Sequence, residues 1–358
     1  MSVAHLKYEI PLGLSYDDVL LVPRYSTIKS RSEVDLTSYI SPRITLSLPI
    51  TSAPMMDVTG VELAIELAKL GGLGIIPRFI SEEGQAEMVS KVKKEKVLVS
   101  AAVGLRNDFV KRAEMLVKAG AYALVLDVAN GHMQKAIEAT KILKNKFGKD
   151  TDIISGLVAT SDGAKHLFKA GADSVRVGIG GGSICTTRIA TGVGVPNMTT
   201  IFDTAKIARS FKKTIIVDAG AKSSGDIVKA LAGGCAAVTT GNLLAGTKET
   251  PGSITEIKGK KYKQYKGSTS LTEKKFQLEN GVAFNKDYIN HIEGVESLVP
   301  YKGPLKDHLA IITAGIRSGF SYCGAKNLKQ LQKNAKFIRI TVGGLTESGA
   351  HDVILINK

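Results

Sequence analysis

The segment from Gly178 to Arg188, reading GIGGGSICTTR, sets an anion cradle and a thiol within a few residues of each other. Gly178, Gly180, Gly181 and Gly182 carry no Cβ to hold backbone N–H groups away from an anion, and Ser183 adds a hydroxyl donor. Two residues further on stands Cys185, whose thiolate can add to an electrophilic carbon. Thr186, Thr187 and Arg188 supply polar and positive groups able to lower a thiol pKa. Taken alone, such a cysteine packs as a small hydrophobe and such glycines merely turn the chain. Their position directly after the apolar run DSVRV argues instead for binding joined to covalent chemistry.

A loop of this kind needs rigid elements beneath it. Eight short β-rich apolar runs recur at a spacing of roughly 20 to 50 residues: LPITSA (48–53), LGIIP (73–77), VLVSAAV (97–103), ALVLDV (123–128), DIISGLV (152–158), SVRVGI (174–179), TIIVDAG (214–220) and AAVTTG (236–241). Helical periods such as NDFVKRAEMLVKAG, HMQKAIEATKILKNKFG and SSGDIVKALAGG separate several of them, each stopped by Gly. Eight such units predict an α/β fold, a (β/α)8 TIM barrel forming a single domain over 1–358. A doubly wound open sheet would want fewer strands and a GxGxxG turn near the first one, whereas the glycine loop follows the sixth run. In a barrel the reactive groups belong at the C-terminal ends of strands, and Asp127, Cys185, Asp218 and Gly241 all fall there. A polar segment over about 247–302 reads as a mobile active-site flap, and 303–358 as a helix-like stretch (307–334), a short strand FIRIT and a tail.

Composition bounds the function class. With 44% hydrophobic and 23% charged residues the chain reads as a soluble α/β protein rather than a disordered one. MSVAHLKYEI lacks an apolar signal core and no run is long enough to span a bilayer, which predicts a cytoplasmic protein with no membrane partner. Three cysteines, Cys185, Cys235 and Cys323, with no CxxC pair, argue against a disulfide framework or a structural zinc. The net charge of +15 is spread along the chain; its densest patch, KGKKYKQYKG (258–267), reads as a solvated loop or hairpin, not a nucleic-acid surface. A positive field of this size also draws anionic small substrates.

The chain resembles the IMP dehydrogenase and GMP reductase family across nearly its whole length, through LSYDDVLLVP, LGGLGII, SAAVG, LDVANGH, KAGADSVRVGIGGGSICTTR, TGVGVP, SGDIVKALAGG, LLAGTKETPG, KKYKQYKG, VPYKGPL and ITVGGLTESGAHDV. The resemblance implies a tetrameric barrel that carries out NAD- or NADP-dependent redox chemistry at C2 of a purine nucleotide, through a thioimidate on Cys185. It further implies that Ser183, Gly220, Gly241, Asn242 and Tyr265 hold the 5′-phosphate, that Asp218 accepts the ribose hydroxyls, and that Ser268 and Glu293 lie at the base. Asp127, Gly178 and Gly180 would serve the nicotinamide side, with Thr187 placing or protonating the reacting atom. The carbonyls of Gly180, Gly182 and Cys185 resemble a potassium site, completed by Glu347, Ser348 and Gly349 of a neighbouring subunit.

Between the two activities the resemblance is divided. The regulatory modules usually inserted after the second β/α unit of the dehydrogenase are missing, since ISEEGQAEMVSKVKKEKVLVSAAVG runs straight through. The Arg-Tyr pair of the dehydrogenase flap is also missing between Ser268 and Glu293, where the nearest match is Lys286, Asp287 and Tyr288. Asn290 replaces the reductase arginine, Leu157 an asparagine of the fifth strand, and Ala219 the first of two glycines after Asp218. The tail ESGAHDV, VPYKGPL and LLAGTKETPG favour the dehydrogenase. The reading is therefore IMP oxidation, with GMP reduction, or a catalytically idle nucleotide-binding barrel, as alternatives.

Overall fold

The computed structural model describes residues 10–105, 108–218, 220–279 and 289–354. All eight apolar runs form strands: β1 (Ile50–Ser52), β2 (Gly74–Ile76), β3 (Val99–Val103), β4 (Ala123–Asp127), β5 (Asp152–Val158), β6 (Ser174–Val177), β7 (Thr214–Asp218) and β8 (Ala237–Thr240). They pair in parallel from β2 round to β8, which pairs with β1. The ring closes where Ser52 N donates to Leu73 O (3.0 Å) and Leu73 N to Ile50 O (3.1 Å). Among the described residues, seven helices of nine or more residues separate consecutive strands, among them α5 (Ser161–Lys169), α6 (Asn197–Ser210) and α7 (Ser224–Gly233), and the short helix Thr187–Thr191 precedes α6. Ser223 caps α7 by accepting from Asp226 N, and Thr160 caps α5 by accepting from Gly163 N.

The N-terminal mouth of the barrel is filled by a hairpin that the sequence reading missed, Ser38–Ser41 with Ile44–Leu46. Its Ile40, Ile44 and Leu46 pack among Ile75, Val125, Ile154 and Ile216. Three side-chain bonds tie it to the first residues of strands or their immediate neighbours: Arg43 to Asp152, Thr214 Oγ1 to Ile40 O, and Ser38 Oγ to Ala236 O. The C-terminal mouth is thereby left as the open end. A second missed pairing joins Val19–Leu21 antiparallel to Phe337–Arg339, the FIRIT strand.

One expectation needs correction. The stretch 307–334 is not one helix: Leu305–Tyr322 and Leu328–Asn334 are separated at Gly324, whose φ of +62° ends the first. The segment 247–302, read as a flap, carries regular structure, including a hairpin over the basic patch. Thr255–Ile257, Lys260–Lys266 and Glu296–Pro300 form an antiparallel sheet, with the helix Leu271–Glu279 inserted before the last strand. Lys258 and Gly259 both have positive φ (51° and 74°), as a two-residue type I′ hairpin turn requires.

Nor is the basic patch all solvated face. Lys263 is buried and donates Nζ to the carbonyls of Thr247 (3.2 Å), Lys248 (3.1 Å) and Thr250 (2.5 Å), pinning the sheet to the loop after β8. Burial lowers its pKa, with Glu249 and Glu62 only partly opposing. Lys263→Met removes the ammonium that these three carbonyls share and is expected to lower stability by about 1–3 kcal/mol, read as a reduced urea midpoint. Among the described residues no helix is long and apolar enough to cross a membrane.

Candidate active site

The open mouth holds three constellations. The first is a cavity of ≈ 50 Å³, the scale of a small anion, that gathers Gly182, Ser183, Gly220, Gly241, Asn242 and Tyr265 from the loops after β6, β7 and β8 and from the hairpin. Gly220 sits at φ +86°, and a Cβ there would lie 2.1 Å from Asn197 Nδ2 and 2.9 Å from Gly181 O, so the loops can meet this closely only at glycine. The residues 220–222 lead into α7, whose N-terminal amides favour negative charge nearby. Tyr265 is buried and hydrogen-bonded to the Ser183 side chain; burial pushes its phenol up to about 12, which the Ser183 bond only partly offsets, so it stays a neutral donor. Lys222 is the one charged side chain among those lining the cavity and pairs with Asp17 at 2.8 Å. Sequence reading missed it, together with Asn197, the residue wedged between the two glycine loops.

The second constellation is a chain of charges across the barrel. Arg78 Nε meets Asp127 Oδ2 at 3.1 Å, Arg176 Nη1 meets Asp127 Oδ1 at 3.1 Å, and Arg176 Nη2 meets Asp218. Asp127 ends β4 and Asp218 ends β7, and Arg176 on β6 between them is 2% exposed. Burial alone would raise Asp127, but Arg176 and Arg78 together outweigh it and hold the carboxyl below its usual range. Asp218 has one arginine; burial, with the charge of Asp127, raises its carboxyl above the usual range despite Arg176. The arginine inside DSVRV had been read only as part of a strand.

The third constellation is the thiol. Cys185 is half-buried, and its Sγ lies 3.1 Å from Thr187 Oγ1. The Thr187 hydroxyl donates its single proton to Glu293 Oε2 (2.5 Å), so its oxygen is left to accept from the sulfur. Backbone pairing sets this register: Thr186 N donates to Glu293 O (2.9 Å) and Val295 N to Ile184 O (3.1 Å), opposing Cys185 to Gly294. Arg188, expected beside the thiol, donates instead to the carbonyls of Ile179 (3.0 Å) and Val195 (2.7 Å), stapling the two ends of the loop. His291 Nε2 reaches the second oxygen of Glu293, a contact that no motif announced.

Other predicted residues lie as follows. Gly178 is buried, and a Cβ on it would meet the Asp218 carbonyl at 2.8 Å; Gly180, at φ +70°, faces the Arg188 side chain. Gly182 O already accepts from Cys185 N (3.2 Å). Ser268 is half-buried outside the anion cavity, and its carbonyl accepts from Gln277 Nε2 (2.9 Å). Glu347, Ser348 and Gly349 are exposed at the end of the helix Val342–Glu347; Ser348 Oγ and Gly349 N donate back to that helix, while the Gly349 carbonyl meets His351 Nδ1 at 2.9 Å. Ala219, Lys286, Asp287 and Tyr288 lie outside the described residues.

A small cavity lined by glycine loops, a thiol hydrogen-bonded toward a carboxylate and a buried ionic bridge share one barrel mouth. The model of the IMP dehydrogenase / GMP reductase domain matches residues 13–351, and the chain belongs to that family. It is 34% identical to the inosine-5′-monophosphate dehydrogenase of Nitrosopumilus maritimus, covering 97% of this chain and 100% of that protein. To the same enzyme of Borreliella burgdorferi it is 38% identical, covering 96% and 98%. The first alignment runs over 476 positions and the second over 401, so the first relative carries inserted residues that this 358-residue chain lacks. Among solved structures, a cysteine-to-alanine variant of GMP reductase from Trypanosoma brucei, in complex with guanosine 5′-monophosphate, superimposes with a TM-score of 0.91 at 28% identity, covering 97% of this chain and 99% of that one.

Proposed function

We propose that this protein oxidises IMP to XMP with NAD and water, through a covalent adduct on Cys185. The observation that carries the reading is the hydrogen-bonded line Cys185–Thr187–Glu293 beside an anion cavity that includes Ser183, two residues from the thiol. The cavity takes the 5′-phosphate on amides of the glycine loops, the Ser183 and Tyr265 hydroxyls and Lys222. Asp218, fixed by Arg176, accepts the ribose hydroxyls. Anchored at both points, the purine presents C2 to the sulfur, and Thr187 with Glu293 removes the thiol proton as the C–S bond forms. When bound, the nicotinamide cofactor supplies the hydride acceptor for the tetrahedral C2. Water then cleaves the thioimidate.

Asp127, held ionised by two arginines, fits a group that orients the nicotinamide side, with Gly178 and Gly180 shaping the wall there. The carbonyls of Gly180, Gly182 and Cys185 form an oxygen-only donor set suited to potassium. Three donors underfill such a cation, which supports completion by Glu347, Ser348 and Gly349 of a second copy in a cytoplasmic homotetramer. Incubation with IMP and NAD is expected to form XMP and NADH. GMP with NADPH is the contrasting arm: release of ammonia and IMP there, with no XMP in the first, overturns the reading in favour of GMP reduction. Tyr265→Phe removes one donor worth about 1 kcal/mol, and is expected to raise KM for the nucleotide roughly fivefold with kcat unchanged in steady-state assays.

A further inference from the structure

The hydrogen-bonded line at the thiol does not end at Glu293. While Oε2 takes the Thr187 hydroxyl, Oε1 meets Nε2 of His291, two residues earlier. The four groups lead outward: the sulfur is half-buried, Glu293 is 14% exposed and the His291 imidazole 66%. His291 is also held by its backbone, because the buried Lys274 on Leu271–Glu279 donates Nζ to the His291 carbonyl; the Lys274 ammonium is the other charge that faces Glu293. A carboxylate engaged on both oxygens keeps one orientation, and a group bonded inward to a hydroxyl and outward to an exposed imidazole can hand a proton on instead of storing it.

Resting on the functional reading above, we propose that His291 is the outer positioning residue and proton acceptor of a relay Cys185–Thr187–Glu293–His291. With His291 as the Nδ1–H tautomer accepting at Nε2 from a proton on Glu293 Oε1, a proton arriving at Oε2 is matched by transfer of the Oε1 proton to Nε2, and the imidazolium so formed releases its Nδ1 proton to solvent. In the hydrolytic half-reaction the water oxygen bonds to C2 and the C2–S bond breaks with its electron pair on sulfur. One water proton leaves through Thr187, Glu293 and His291, and the other stays with the product. The same path carries the thiol proton outward before attack. No oxidant or reductant enters these steps.

His291→Ala is expected to lower kcat about tenfold with KM for the nucleotide unchanged. The first-turnover burst of NADH should persist while later turnovers slow, and added imidazole should restore the rate, since the site is open to water. His291→Gln keeps a hydrogen-bonding amide beside Glu293 but cannot take up and pass on a proton, and should be as slow as His291→Ala. Wild-type kcat in either variant, or a loss that imidazole does not relieve, overturns the relay. Alkylation of Cys185 by iodoacetamide needs no nucleotide and should slow several-fold in His291→Ala; an unchanged alkylation rate overturns the relay whatever the nucleotide assays show. A wild-type protein that is alkylated normally, slows on His291→Ala, and yet turns over neither nucleotide pair sinks the functional reading and leaves the relay standing.

Discussion

Cys185→Ala is expected to abolish turnover, by on the order of 10⁴-fold or more, while nucleotide still binds. The two effects separate because different atoms carry them. Anchoring of the nucleotide falls to the cavity of Gly182, Ser183, Gly220, Gly241, Asn242 and Tyr265, none of which hydrogen-bonds the thiol. The sulfur contributes the bond to C2, for which a methyl group has no substitute. Steady-state NADH formation and calorimetric binding of IMP measure the two separately. Residual activity within tenfold of wild type would show that another nucleophile, or direct hydride loss, does the chemistry. The remaining cysteines are poor stand-ins: burial pushes the Cys235 thiol above its usual range, and Cys323 shifts the same way. Cys235 is enclosed in the barrel core.

The second large effect is expected at Arg176. Its guanidinium is the only bridge between Asp127 and Asp218 among the described ion pairs, and it is 2% exposed. Arg176→Met keeps much of the volume but leaves Asp218 buried with no cation and Asp127 with Arg78 alone. Stranding a buried charge in this way typically costs about 3–5 kcal/mol. A fall of that size in unfolding free energy is expected in urea, together with weaker nucleotide binding, since Asp218 would take up a proton or turn away. Adding Asp218→Asn removes the stranded charge and should recover part of the stability but none of the binding. Arg176→Lys should fall between the two, because a single ammonium cannot engage both carboxylates in the forked geometry. Stability within 0.5 kcal/mol of wild type in Arg176→Met would mean that the bridge carries no structural weight.

Much of this was legible in the chain because the barrel writes itself as apolar runs of fixed length. LVLD at the end of β4 and IIVD at the end of β7 both announce a strand and put a carboxylate on its C-terminal end. The glycine cradle and Cys185 were legible for a related reason, since only a few residue types allow close backbone approach or covalent attack. Part of what escaped shares one physical cause: polar side chains whose partners are brought to them only by the fold. Lys260–Lys266 alternates as a strand should, with Lys263 and Tyr265 turned inward, but an ammonium solvated by carbonyls has no apolar signature. Arg176 sits in an apolar strand because two distant aspartates neutralise it, and their proximity exists only in the closed ring. His291 and Glu293 are neighbours in sequence, but their link to Thr187 depends on a pairing between segments more than a hundred residues apart. The hairpin of Ile40, Ile44 and Leu46 was passed over because its short strands break their buried residues with exposed ones and offer no continuous apolar run like those of the barrel.

That hairpin has a bearing on kinetics. With Ile40, Ile44 and Leu46 stoppering one end of the cylinder, traffic is confined to a single doorway, the rim where the thiol stands. If the proposed reaction holds, departing XMP and arriving IMP share that threshold, and the product is expected to compete with the substrate.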